Sequence, residues 1–167
     1  MRQQARLGMA MFLLSEAVFF FMLIAAFVYF RAASVATAAA NLHLGVTAIY
    51  TACLLASSFT MWRAAATGLR SWLGLTIVLG GAFLYGQASE YLRLFHQKIT
   101  ISQGLFGTTF FTLTGMHGLH VVIGIVLLAA LLGFERRIEM DAVALYWYFV
   151  DVVWIAIFAI VYVWTFR

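Results

Sequence analysis

Apolar side chains run along this chain in five long blocks, approximately Leu7–Phe30, Leu42–Trp62, Trp72–Leu94, Leu105–Phe134 and Ala142–Phe166. Each block reaches the about 20 residues that a helix needs to cross about 30 Å of hydrocarbon. The pattern predicts an all-α, polytopic membrane protein of five transmembrane helices, joined by Arg31–Asn41, Arg63–Ser71, Phe95–Gly104 and Glu135–Asp141. No regular repeat or low-complexity stretch divides the chain, so residues 1–167 read as a single transmembrane domain.

Composition strengthens this reading. The chain is 65% hydrophobic and 10% charged, with no proline, whereas a soluble domain is about a quarter charged and needs a polar shell. A soluble fold is excluded. The net charge of +4 would suggest nucleic acid in a soluble protein, but here the basic residues fall mainly between apolar blocks, where they set topology and touch lipid headgroups. Nucleic acid is not an expected partner. A single cysteine, Cys53, has no second thiol for an internal disulfide or a zinc site.

Assigning Lys and Arg to alternate sides puts Arg2, Arg6, Arg63, Arg70, Arg136 and Arg137 opposite Arg31, Arg93, Lys98 and Arg167. The positive-inside rule then places the amino terminus in the cytoplasm and the carboxyl terminus outside. The first block follows two arginines, as a signal peptide does, but it is longer than an h-region and contains Glu16, so it is expected to stay in the mature protein. Trp62, Trp72, Trp147 and Trp164 fall near block ends and suggest an interfacial belt. Arg136, Arg137 and Trp62 are candidate contacts for lipid headgroups. Glycines concentrated in the third and fourth blocks suggest that those two helices are central, since small residues let helices approach closely. Met9, Met11 and Met22 read as core packing rather than copper ligands.

Ionisable groups inside the spans carry the candidate chemistry, because each costs about 2.5–3.5 kcal/mol at a helix centre. Four stand out: Glu16, His117, His120 and Asp151. Glu90 falls near the outer end of the third span, and His43 and His96 near the outer surface, where water makes them cheap. At 1.5 Å per residue, Glu16, His117 and Asp151 each lie roughly 12–14 Å from the cytoplasmic edge, with His120 one turn further in. The four therefore define one polar layer contributed by three helices. It suits an interhelical lock, a group involved in proton movement or, least well, a metal or haem site. Haem ligation wants histidines on two facing helices, and a dinuclear site wants more carboxylates. No residue is assigned as a catalytic group, a cofactor ligand or a metal ligand.

Four segments resemble subunit III of the haem-copper oxidases, the family that includes cytochrome c oxidase. Residues 8–20 (GMAMFLLSEAVFF) are similar to the family's G-M-x-x-F-[LI]-[LI]-S-E-x-x-F-F, and QASEY at 87–91 is followed by TISQGLFGTTFF at 100–111. Residues 114–124 (TGMHGLHVVIG) resemble T-G-F-H-G-L-H-V-I-I-G, and YWYFVDVVW at 146–154 resembles Y-W-H-F-V-D-V-V-W. The match begins at what is the third helix of seven-helix members, as in the short five-helix bacterial forms. A lipid cleft built between two earlier helices and the rest is not expected on this chain. Local departures are MWRAA at 61–65 for a W-A-H segment, FHQK at 95–98 for an A-P, and Tyr148 for a histidine.

The resemblance implies a non-catalytic core subunit of a respiratory terminal oxidase in the bacterial inner (plasma) membrane. Such a complex reduces oxygen to water and pumps protons, so the chain would count as part of an oxidoreductase without holding the catalytic centre. Its expected partners are catalytic subunit I, subunit II and membrane phospholipids, and haem and copper would reside in those partner subunits. The resemblance also implies support of proton uptake and ordered lipid, and it puts Glu16 on the family's carbodiimide-reactive carboxylate. Alternatives are subunit III of a quinol oxidase, an accessory protein of nitric oxide reductase, and a stand-alone proton channel or transporter.

Overall fold

The computed structural model describes residues 2–30, 44–102, 104–133 and 140–164. Among these the chain forms five helices: α1 (Arg2–Phe30), α2 (Leu44–Thr67), α3 (Arg70–His96), α4 (Leu105–Gly133) and α5 (Met140–Phe158). A π-helical turn, Ala159–Val163, continues α5. The all-helical fold agrees with the sequence pattern, with adjusted ends. The link expected at Arg63–Ser71 shrinks to Gly68 and Leu69, because Ala64, Ala65 and Ala66 favour helix and no proline interrupts them. Gly68 takes φ 68°, its N–H bonds the Ala64 carbonyl at 2.8 Å, and α3 starts two residues later.

Among the described residues four helical segments are long and apolar enough to cross a membrane: Leu7–Phe30, Leu44–Thr67, Gly107–Gly133 and Met140–Val163. The 27 residues of α3 have the length, at about 40 Å, but Gln87, Glu90 and Arg93 leave that helix less apolar than the others. Contacts between helices set the arrangement. α2 packs on α3 and α5, α3 on α4, α4 on α5, and α1 lies across α4 and α5 rather than beside its sequence neighbour α2.

The centre is α5, not the α3–α4 pair that the glycines suggested. Half of its apolar span is buried, against 28% for α4 and 17% for α1. The glycines of α3 and α4 instead receive a side chain of α5. A Cβ on Gly80 would lie 2.8 Å from Trp147 Cη2, and one on Gly124 would lie 2.8 Å from Trp147 Cε3. Trp147 is fully buried between them, so it is a core residue and not part of an interfacial belt. Trp62 and Trp164 are exposed, and Trp72 lies under the Arg63 guanidinium at 5.4 Å. Met9 packs partly against the core, but Met11 and Met22 face outward, which corrects the expectation that all three are core methionines.

Candidate functional site

Helix α1 brings Glu16 against His120 of α4, with Glu16 Oε2 3.1 Å from His120 Nε2. The other ring nitrogen, Nδ1, lies 2.8 Å from the Met116 carbonyl. A carbonyl only accepts, so Nδ1 is the donor there and the imidazole orientation is fixed. The Phe20 ring packs edge-on at 4.9 Å and closes the pair from the α1 side. From α5, the Tyr146 hydroxyl donates to the His120 carbonyl at 3.0 Å. The Glu16 side chain keeps 21% exposure and is therefore not fully buried, while His120 keeps 9%.

Asp151 is held elsewhere. It is 3% exposed on α5, and its Oδ2 accepts from the Ser58 hydroxyl of α2. One turn to either side the same two helices are tied again. Trp147 Nε1 donates to Ser57 Oγ at 2.9 Å, and Trp154 Nε1 donates to Thr51 Oγ1 at 3.0 Å. The three α5 residues, at spacings of four and three, share one helix face, and α2 meets them with Ser57, Ser58 and Thr51.

His117 joins neither carboxylate. Its ring stacks on Trp154 at 4.8 Å and meets Phe83 edge-on at 5.8 Å. Both its nitrogens are buried without a hydrogen-bond partner among the described residues. Three residues advance a helix by about 300°, so His117 and His120 point about 60° apart. That rotation sends His120 to α1 and His117 toward α3 and α5. The expected single layer is thus two separate contacts, Glu16–His120 and Asp151–Ser58, with His117 in an aromatic box.

Sequence reasoning missed the α2 partners. Ser57 and Ser58 interrupt an apolar block, which was the available signal, but hydroxyls are cheap in membrane helices and gave no hint of their partners. It also misjudged Glu90, which is 5% exposed, not surface-lying, and is ion-paired with Arg93 on its own helix. Arg136, Arg137 and His43 lie outside the described residues, and His96 is exposed. Among the described residues no group of three or more His, Cys, Asp or Glu could hold a metal ion.

The sequence model of the family "Cytochrome c oxidase subunit III" matches residues 1–166. The chain belongs to that family. Curated relatives agree with the assignment. Cytochrome c oxidase subunit 3 of Synechocystis is 34% identical, covering 93% of this chain and 73% of its own length. The probable cytochrome c oxidase subunit 3 of Nocardia farcinica is 36% identical over 93% of this chain and 85% of its own. The same subunit from Heterololigo bleekeri is 34% identical, covering 95% and 70% respectively. In this subunit III chain Glu16, His120 and Asp151, which lie in the family-like motifs, all make contacts between helices.

Proposed function

We propose that this chain is the non-catalytic subunit III of a bacterial respiratory oxidase, a five-span membrane subunit that stabilises a catalytic subunit carrying the haem and copper. The observation that carries the reading is the use made of the polar side chains. Glu16 with His120, Asp151 with Ser58, and the two tryptophans with Ser57 and Thr51 each join one helix to another. Contacts of this kind average about 0.6 kcal/mol in a membrane bundle and reach about 1.7, so several together fix helix registry. An interhelical lock is therefore the preferred role for Glu16, His120 and Asp151.

The fifth span is α3, with its less apolar end sheltered by the bundle through the burial of Gln87 and Glu90. An up-and-down order of helices keeps Arg63 and Arg70 on the side of the amino terminus, and the positive-inside rule supports reading that side as cytoplasmic. Lipid headgroups would meet Trp62, Arg136 and Arg137 there. The relatives' names point to cytochrome c as the electron donor of the complex. Gentle-detergent purification through a tag on this chain, followed by mass spectrometry, tests the reading. Recovery with a haem-copper catalytic subunit and a copper-bearing second subunit is expected. Recovery alone, or only as a homo-oligomer, would overturn it.

A further inference from the structure

Several polar side chains in the inner half of the core close on each other directly, while Arg63 Nε there is buried with no hydrogen-bond partner among the described residues. Thr60 Oγ1 and Thr76 Oγ1 are 2.8 Å apart, Trp147 reaches Ser57, and Ser58 reaches Asp151. From Asp151 toward the Glu90 end Trp154 still reaches Thr51 and Tyr91 meets Thr114, but a run of other groups stays open. Asp151 Oδ1, both nitrogens of His117, Gln87 Oε1 and the Tyr162 hydroxyl are all buried with no hydrogen-bond partner among the described residues. Tyr162 faces Thr47 and Glu90 without closing a well-formed bond.

These groups succeed one another along the interior. Asp151 is one turn from Trp154 on α5, and His117 stacks on Trp154 at 4.8 Å. Phe83 touches both rings, at 4.7 Å from Trp154 and 5.8 Å from His117. Gln87 is one turn beyond Phe83 on α3, and Tyr162 is about two turns beyond Trp154. The unpaired groups thus step outward by helical turns on α5, α4 and α3.

We infer that this outer half of the core is a water-binding site, in which a short file of internal water molecules is held by Asp151, His117, Gln87 and Tyr162. Three considerations select water. A buried polar group left unmade costs about 1–3 kcal/mol, and structures avoid that cost with ordered water. The set mixes acceptors (Asp151 Oδ1, Gln87 Oε1) with groups that both donate and accept (His117, Tyr162), which suits a neutral molecule able to do both and does not suit a cation. The length is one that water can fill, since Asp151 and Tyr162 at the two ends of the set are about 16 Å apart along the helix and successive water hydrogen bonds span about 2.7–2.8 Å each. The file opens at Arg93, which keeps 26% exposure beside Glu90. It is sealed inward by the Ser58–Asp151 bond, with Trp147 beyond that seal.

X-ray radiolytic labelling of the membrane complex purified through this chain, read by mass spectrometry, tests the site. Bound water yields hydroxyl radicals in place, so buried neighbours of the file are oxidised while equally buried residues away from it are not. Trp154, Tyr162 and Trp147 are all fully buried, and only the first two adjoin the file. Oxidation of Trp154 and Tyr162 severalfold faster than of Trp147 is the expected result, and equal slow rates for all three would overturn the proposal. In a His117→Phe variant the Trp154 rate should fall toward that of Trp147; an unchanged rate would remove His117 from the site. Should that variant not assemble, the comparison among the three wild-type residues decides alone.

Discussion

Two of the carboxylates inside this bundle, Glu16 and Asp151, are held in opposite ways. Glu16 sits on α1, whose apolar span is 17% buried, and reaches its partner across a rim that leaves 21% of its side chain open. Asp151 sits on α5, half buried, with tryptophan bonds to the same partner helix on either side. A residue on a rim helix makes one contact whose loss loosens one helix. A residue on the hub shares a face with its neighbours, so its loss disturbs a whole interface. The difference in surroundings, more than the shared charge, sets what each carboxylate is worth.

Breaking the hub should show the largest effect. Trp147→Ala removes the indole clasped by Gly80 and Gly124, and large-to-small changes of this kind cost about 3–5 kcal/mol in soluble cores. The subunit is expected to be absent from the complex after detergent extraction, as measured by subunit stoichiometry. Asp151→Leu comes next. It leaves the Ser58 hydroxyl unpaired at about 1–3 kcal/mol and should lower the melting temperature of the purified complex. Asp151→Asn keeps an acceptor for Ser58 and should recover most of that loss; equal damage from both would mean that charge, not the Ser58 bond, matters.

On the rim the effects shrink. Glu16→Gln retains an amide that can hydrogen-bond His120, so a change within about 1 kcal/mol is expected, with the haem content of the complex unaltered. Loss of haem in that variant would contradict a ligand-free role. The smallest change should come from Met11→Leu, which alters a side chain 67% exposed on α1 and is expected within about 0.5 kcal/mol. A clear loss of assembly there would show that a partner covers this part of α1.

The presence of five helices was legible because apolar length is a property of one helix at a time. Azimuth was not legible. Depth placed Glu16, His117, His120 and Asp151 at similar levels, yet the rotation between His117 and His120 separates their partners by a whole helix. The glycines at 80 and 124 look in sequence like marks of central helices, and in the fold they are the sockets for Trp147 of α5. Ser58 offered no charge to notice, and Glu90 lay close enough to a block end to look wet. In each case the missing information was which face meets which neighbour, and packing between helices decides that.

The π-helical turn at Ala159–Val163 carries a consequence for length variation. Its closing bond runs from Trp164 N–H to the Ala159 carbonyl at 2.8 Å, five residues apart. A wide turn of this kind absorbs one residue more than an α-helical turn while keeping its backbone bonds. The end of α5 can therefore gain or lose a single residue by changing the width of this turn, leaving the register of Trp147, Asp151 and Trp154 upstream untouched. Only the phase of the residues at and beyond the turn changes, and with it whether Tyr162 points inward, as it does here stacked on Phe158 at 5.4 Å.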